Sequence, residues 1–247
     1  MLIVLPPSET KATGGRGAPL DLDLLSLPSL TPLRRKIADA LVTLSGDPAA
    51  SQKALGLGVS QFDEIERNAQ LWSSPTSPAI ERYTGVLFDA LDYRSLTRAA
   101  KVKAADRLAI GSALFGVLRA TDPIPAYRLS AGSKLPGFGT LAANWKPALT
   151  DALVGLGEDL IVDLRSGGYQ QLGPIPAAIT VTVLTENASG ARTVVSHFNK
   201  HHKGVLTRSL LGSRKQVRDV NSLAAVAVAG GQRAEIGSDR ELIILTD

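Results

Sequence analysis

The chain contains 247 residues, of which 44% are hydrophobic and 20% are charged, so it is long and apolar enough to bury one full core. This composition excludes a disordered or collagen-like chain. The 27 lysines and arginines exceed the 23 aspartates and glutamates by 4, an excess that permits an anionic partner without requiring one. Because there is no cysteine, disulfides, thiolate metal sites, iron–sulfur clusters and cysteine nucleophiles are excluded.

The sequence offers no membrane segment. Its longest uncharged stretch, residues 166–185, contains several glycines and prolines, which a membrane helix does not gather. The apolar start of the chain is followed at once by two prolines and lacks the basic leader of a signal peptide. We therefore expect a cytoplasmic protein with no membrane partner.

Helices dominate the predicted elements of the first half. Residues 2–5 form a continuous apolar run typical of a buried strand, and residues 8–28 are rich in Gly, Pro, Ser and Thr and predict a long loop. An amphipathic helix begins at Thr31, where proline follows an N-cap residue. A second helix is predicted from Ser60 and a third from near Pro147.

Strands dominate the second half. They are predicted at residues 107–114, 159–164, 179–184, 193–196, 223–228 and 241–245. The turn-forming residues 186–190 predict a hairpin between the third and fourth of these strands. Without an internal repeat or a break in composition, the pattern predicts a mixed α/β (α+β) fold: a single domain, residues 1–247, with a central mixed sheet wrapped by helices.

One segment concentrates the positive charge. Residues 187–218 contain no aspartate or glutamate, seven lysines and arginines, and all three histidines. Apolar spacing predicts a helix over residues 198–211, a turn at Gly212 and Ser213, and a second basic helix over residues 214–220. Such a basic helical hairpin can hold phosphates without recognising bases, which predicts sequence-independent binding of double-stranded DNA.

Two other interpretations of this segment stay open. Basic runs are common on protein surfaces, and one alternative is a solvated face with no partner. His197 and His201, four residues apart, could share a helix face and bind a metal, but neither a carboxylate nor a cysteine lies near them in sequence. We predict no metal site. We also predict no cofactor, since the P-loop and dinucleotide-binding fingerprints are absent.

Polar residues gather after two of the predicted strands. Arg119, Asp122, Tyr127 and Arg128 follow the strand at residues 107–114, in a stretch stiffened by prolines. Ser166 follows another strand in a glycine-rich turn, and ligands of α/β proteins gather at such strand ends. The alternative for the first group is structural, with Arg119 and Asp122 satisfying a buried turn and Tyr127 packing.

Several short motifs, taken in order, resemble the YaaA family of peroxide stress proteins. These motifs are Met-Leu-Ile-Val-Leu-Pro-Pro-Ser-Glu-Thr-Lys at residues 1–11, Tyr83-Thr84-Gly85, Ser112-x-x-Phe115-Gly116-Val-Leu-Arg119-x-x-Asp122, Pro125-x-Tyr127-Arg128-Leu129, Asn144-Trp145, Asp163-Leu-x-Ser166-x-x-Tyr169 and Lys200-His201-x-Lys203-Gly204. The match spans nearly the whole chain. It implies a cytoplasmic α/β protein with a positively charged cleft and a helix-hairpin-helix element, which binds DNA and limits iron-driven oxidative damage.

The chain departs from the family pattern at three positions. Lys203 stands where the basic signature has arginine, which keeps the charge but loses the bidentate fork. Phe115 stands where the family has tyrosine, so no hydroxyl contact is available there. Ala120 replaces a proline.

Two hypotheses of function follow. In the first, double-stranded DNA is held through its phosphates by a set of basic side chains: Lys200, His201, Lys203, Arg208 and Arg214. In the second, the chain is an enzyme or binding protein for a phosphorylated or nucleotide-like small molecule. Its pocket would be formed by Ser8, Glu9, Lys11, Arg119, Asp122, Tyr127, Arg128 and Ser166. The residues point to no reaction.

Overall fold

A mixed sheet forms the centre of the fold. The computed structural model describes residues 1–58, 60–187, 191–194 and 199–246. The strands are β1 (Leu2–Leu5), β2 (Gly17–Pro19), β3 (Pro75–Pro78), β4 (Leu108–Ser112), β5 (Gly116–Arg119), β6 (Pro123–Ile124), β7 (Ile161–Asp163), β8 (Ile179–Glu186), β9 (Arg192–Val194), β10 (Arg233–Ser238) and β11 (Glu241–Thr246). The order in the main sheet is β10-β11-β8-β7-β1-β4-β5, with β9 also paired to β8.

The helices cover this sheet. They are α1 (Thr31–Leu44), α2 (Pro48–Leu55), α3 (Phe62–Ala69), α4 (Ala79–Arg82), α5 (Val86–Leu91), α6 (Arg98–Arg107), α7 (Leu141–Val154), α8 (Gly167–Gln170), α9 (Asn199–Gly212) and α10 (Val220–Ala229). Helix α9 packs against α5, α6, α10 and β8, and α1 packs against α2 and α3. No helix within the described ranges is long and apolar enough to cross a bilayer.

The strand β1 lies inside the parallel part of the sheet, between β4 and β7. Its register pairs Ile3 with Leu108 of β4 on one side and with Val162 of β7 on the other. All of its side chains are buried, which explains the uninterrupted apolar run: a strand covered on both faces has no polar side. Strands β8 and β11 continue the parallel arrangement, and β5, β9 and β10 are antiparallel to their neighbours.

The predicted mixed α/β fold is confirmed, as are several of its elements. Strand β1, helix α1 from Thr31, and strands β4, β7, β8 and β11 lie where the patterns place them. The predicted hairpin is confirmed by the antiparallel pairing of β8 and β9. Helix α7 begins at Leu141 rather than near Pro147, because Thr140 caps it by accepting a hydrogen bond from the backbone N–H of Ala143.

Two predictions about the second half are wrong, and one strand has no counterpart among the predicted elements. Residues 223–228 lie in helix α10, because a capping box of Asp219 and Ser222 starts a helix in an alanine-rich run that also suits a strand. The strand β10 was not expected. The second basic helix does not form: residues 213–219 are irregular, and α10 contains no charged residue. The structure therefore does not show the predicted helix-hairpin-helix element.

Helix α9 approaches α5 unusually closely at Gly204. A Cβ atom at this position would overlap the carbonyl oxygen of Leu87 and lie 2.8 Å from the Cβ atom of Ala90. Only a residue without a side chain allows this approach. Gly212, at the end of the same helix, faces open space.

We expect Gly204→Ala to lower the free energy of unfolding by about 2 kcal/mol or more, because α5 and α9 must separate to admit the methyl group. Gly212→Ala is the matched control. It should leave stability unchanged or raise it slightly, since alanine favours a helix where nothing opposes it. Urea unfolding followed by circular dichroism measures both variants. Equal stabilities of the two variants would contradict the close packing.

Candidate functional site

The carboxyl ends of β1, β4 and β7 meet at one edge of the sheet. The chain leaves β1 to reach β4 on one side and returns to β7 on the other side, so β1 is the point at which strand order reverses. In open α/β sheets, ligands bind in the crevice outside the carboxyl ends of the strands at such a point. We call the polar residues gathered here the strand-end site.

Lys11 occupies the centre of the strand-end site. Its ammonium group donates hydrogen bonds to the carbonyl oxygens of Ser8 (3.0 Å) and Glu9 (3.4 Å). The same Nζ atom lies 4.2 Å from the centre of the Tyr127 ring and 5.2 Å from that of Tyr83, within the range of cation–π attraction. Burial nevertheless lowers the pKa of Lys11 from 10.5 to about 8.

A buried chain of hydroxyl groups fixes the two rings under Lys11. The Tyr127 hydroxyl lies 2.7 Å from the Tyr83 hydroxyl and 2.7 Å from Ser112 Oγ. Ser112 Oγ in turn accepts a hydrogen bond from the backbone N–H of Phe115 at 2.9 Å. Burial raises the pKa of Tyr83 to about 12, so this hydroxyl stays neutral at physiological pH. The sequence hypotheses missed Ser112 and Tyr83 as site residues, although both lie in the quoted motifs.

Glu9 and Arg128 form the charged rim of the strand-end site. Arg128 Nε lies 3.4 Å from Glu9 Oε2. The backbone of Arg128 is held by Asn68, whose amide accepts from its N–H at 2.7 Å and donates to its carbonyl oxygen at 2.9 Å. Tyr169 belongs to the same neighbourhood, since burial and the charge of Glu9 together raise its pKa. Ser166 is exposed directly after β7.

Asp163 and Arg165 close the site on the β7 side. They form a buried two-point ion pair, with Arg165 Nε 2.9 Å from Asp163 Oδ1 and Nη2 2.8 Å from Oδ2. Lys203, from α9, donates to the carbonyl oxygen of Leu164 at 2.9 Å. Burial lowers the pKa of Lys203 to about 8, against the opposing effect of Asp163. Because Lys203 is 6% exposed, it lies beneath the surface that a DNA backbone could reach.

Two residues of the predicted pocket lie elsewhere. Strand β5 runs antiparallel to β4, so Arg119 pairs with Ala109 at the end of β4 opposite to Ser112. Asp122 accepts hydrogen bonds from the backbone N–H of Arg119 at 3.0 Å and from Ser26 Oγ at 2.7 Å. The structural interpretation of these two residues is therefore the one the geometry supports. Ser8, Glu9, Lys11, Tyr127 and Arg128 do come together, with Ser166 exposed at the same edge of the sheet.

The five predicted phosphate ligands do not form one surface. Lys200 and His201 are exposed at the start of α9, and Arg214 is exposed just beyond its end. The helix has 14 residues, so its ends lie about 20 Å apart. Between them, Lys203 is buried and Arg208 donates to the carbonyl oxygens of Leu91 (2.9 Å) and Asp92 (3.0 Å). His197 lies outside the described residues.

A second basic element, which the sequence analysis missed, lies beside the end of α9. Helix α6 contains Arg98, Lys101, Lys103 and Arg107. Lys103 Nζ donates to the carbonyl oxygen of Ser213 at 2.6 Å, and Arg208 donates to Ser95 Oγ, just before α6, at 2.9 Å. These two contacts place α6 alongside the second half of α9. We call α6 together with residues 208–218 the distal basic surface.

Comparison with known proteins identifies relatives along the whole chain. A family model described as "Peroxide stress protein YaaA" matches residues 1–233. A UPF0246 protein of Corynebacterium efficiens is 51% identical over 98% of this chain and 97% of its own length. One from Streptomyces coelicolor is 47% identical over 86% of this chain and 84% of its own. An uncharacterized protein of Campylobacter jejuni is 26% identical over 91% of this chain and 89% of its own.

The buried lysines predict a pH-dependent stability. Between pH 8 and 10.5, Lys11 is largely neutral in the folded protein but protonated in the unfolded chain. The unfolded chain then binds more protons, so stability rises with pH in this window. Between pH 8 and 9.5 the free energy of unfolding of the wild type should rise, and Lys11→Met should remove on the order of 1 kcal/mol of that rise. Urea unfolding at the two pH values measures it.

The control for this prediction is Lys146→Met, which changes an exposed lysine of α7 and should keep the wild-type rise. Measurements stay below pH 9.5 because the raised pKa of Tyr83 makes stability fall with pH above about 10. An unaltered pH dependence in Lys11→Met would contradict the burial of a neutral amine.

Proposed function

Because the chain belongs to the YaaA family of peroxide stress proteins, we propose that it acts in peroxide stress by binding the phosphate backbone of double-stranded DNA. The distal basic surface makes the contact. The observation that carries this proposal is the hydrogen bond between Lys103 and the carbonyl oxygen of Ser213. It brings together two basic stretches that lie more than a hundred residues apart in the sequence.

The charge balance of the distal basic surface favours an anionic partner. Four of its cations are exposed: Arg98, Arg214, Lys215 and Arg218. Two acids near these cations already have partners. Asp92 lies 3.6 Å from Arg208, and Asp106 lies 3.7 Å from Arg107. A long polyanion therefore meets unpaired positive charge here.

The shape of this surface favours binding without sequence recognition. Specific readout of a duplex places a helix or a strand pair in the major groove. Residues 213–219 are irregular instead, and their long basic side chains suit contact with phosphates from outside the groove. Binding of this kind releases counterions and weakens steeply with salt.

The same counterion release provides a route to protection from peroxide. Ferrous iron held near DNA phosphates converts peroxide into radicals beside the sugar that they attack. Lysine and arginine side chains that neutralise phosphates displace the cations condensed there. Coverage of the backbone thus moves the iron, and the radicals it forms, away from the DNA. This mechanism uses charge alone and needs no metal site in the protein.

We expect wild-type protein to bind a short labelled duplex with an affinity that falls linearly in log salt, because phosphate contacts release counterions. In the variant Arg98→Gln/Arg214→Gln/Lys215→Gln, the slope of log affinity against log salt should be smaller in magnitude by about two to three, close to one for each contact removed. Fluorescence anisotropy across a salt series measures both.

Lys200→Gln is the matched control for this experiment, since it removes a cation at the opposite end of α9. It should keep the wild-type slope. If Lys200→Gln reduces the salt slope and the triple variant does not, the DNA interface lies at the start of α9 instead. Undetectable binding of wild-type protein at low salt would overturn the DNA proposal.

Protection should follow DNA coverage. Saturating wild-type protein should reduce nicking of supercoiled plasmid by ferrous iron and peroxide several-fold, and the triple variant should protect less at equal concentration because it covers less DNA. Agarose gels quantify the nicked fraction. Two results would show that protection does not depend on coverage. One is equal protection by the wild type and the triple variant; the other is protection that persists at a salt concentration that abolishes DNA binding.

A further inference from the structure

A small cavity lies beside the strand-end site, at the opposite end of α9 from the distal basic surface. Its volume is about 190 Å³. The loop after β1 provides Ser8 and Thr10, the segment before α5 provides Thr84 and Gly85, and α9 provides Lys200. Segments far apart in the sequence thus meet at one opening.

The polar groups of this cavity are arranged to donate hydrogen bonds. Ser8 Oγ accepts from the backbone N–H of Thr10 at 3.3 Å and lies 3.1 Å from Thr10 Oγ1. The Thr10 hydroxyl donates its single proton to the carbonyl oxygen of Thr84 at 3.3 Å, so the Ser8 hydroxyl proton is the one available to a ligand. The Lys200 ammonium group makes no hydrogen bond or ion pair within the part of the chain that the structure describes.

The charge of the cavity is positive. Of its described lining residues, Lys200 is charged and none is acidic. The carboxylate of Glu9, between Ser8 and Thr10 in sequence, is directed to Arg128 instead. The Ser8 hydroxyl and the Lys200 ammonium group, with no carboxylate beside them, form a donor set for an anion.

The size of the cavity limits the anion. Pockets for whole drug-sized ligands measure about 300–1,000 Å³, so 190 Å³ suits a single compact group. Gly85 has φ of 95°, a conformation that favours glycine. A Cβ atom there would lie 3.2 Å from both Ser8 Oγ and Thr10 Oγ1, so any side chain would occupy the space beside the two hydroxyls.

A larger cavity of about 430 Å³ adjoins the small one and shares Thr84 and Phe88 with it. Its lining has a different chemistry. The aromatic rings of Tyr83 and Tyr93 offer apolar faces. Three carboxylates, of Glu81, Asp89 and Asp92, outnumber the one cation, Arg94. Carboxylates accept hydrogen bonds from hydroxyl or amino groups and repel a second phosphate.

We propose that the small cavity binds the phosphate of a small phosphomonoester, and that the larger cavity receives the hydroxyl-bearing remainder of that molecule. Ser8 and Lys200 hold the phosphate oxygens, and the backbone N–H of Thr10 holds the Ser8 hydroxyl in place. A sugar phosphate has this chemistry: one compact dianion joined to a body rich in hydroxyl groups. The phosphate end of the site lies at the opposite end of α9 from Arg214, about 20 Å away, whereas the larger cavity extends to Asp92, which contacts Arg208 of the distal basic surface.

The probes for this site are ribose 5-phosphate, inorganic phosphate and ribose, measured by isothermal titration calorimetry. Ribose 5-phosphate should bind most tightly, inorganic phosphate more weakly, and ribose not detectably, since the phosphate carries the charge-assisted contacts. Lys200→Gln and Ser8→Ala should each weaken ribose 5-phosphate binding at least tenfold. Both change partly or fully exposed residues, so both proteins should fold.

Lys146→Gln is the control for the loss of one surface lysine and should bind ribose 5-phosphate as the wild type does. The proposal is overturned if ribose binds as tightly as ribose 5-phosphate, if both site variants bind as the wild type does, or if neither phosphate probe binds at millimolar concentration. Failure of the DNA proposal is recognised separately, because the triple variant of the distal basic surface should retain ribose 5-phosphate binding.

Discussion

The parallel pairing of β1 with β4 on one side and β7 on the other is the constraint on which the rest of the molecule depends. Parallel strands end on the same edge, so the residues that follow them must lie together however far apart they are in sequence. This is why Lys11, Ser112 and Arg165 share one neighbourhood. The polar groups crowded there must satisfy one another, and the chain of hydroxyls from Ser112 through Tyr127 to Tyr83 does so without solvent.

Helix α9 connects this edge to the opposite side of the protein. Gly204 lets it pack closely on α5, and Lys203 attaches it to β7 through the carbonyl oxygen of Leu164. These contacts leave Lys200 beside the strand-end site and Arg214 beside α6. Basic residues of one stretch of the sequence therefore lie at two different places: Lys200 lines a small cavity, and Arg214 belongs to the exposed distal basic surface.

The two proposed ligands are both phosphates, and the difference between the sites is geometric. A duplex backbone is a repeating polyanion that needs exposed, mobile cations over an extended area, as the distal basic surface offers. A terminal phosphate is a compact dianion that needs converging donors in a small space, as Ser8 and Lys200 offer. Burial lowers the pKa of Lys11 and Lys203, so these two amines are weaker cations than those on the surface.

Apolar periodicity and ordered motifs are local properties of the chain, and they were enough to predict the mixed α/β class, the buried strand β1, the helix from Thr31 and the family. The sequence could not separate helix from strand at residues 223–228, where an apolar run suits both and the cap at Asp219 decides. The tertiary structure was needed to place Arg119 at the far end of β4, because β5 pairs antiparallel with β4. It was also needed to show that Lys103 of α6 contacts Ser213. Side chains meet in space according to strand direction and helix packing, and neither property is present in the spacing of residues along the chain.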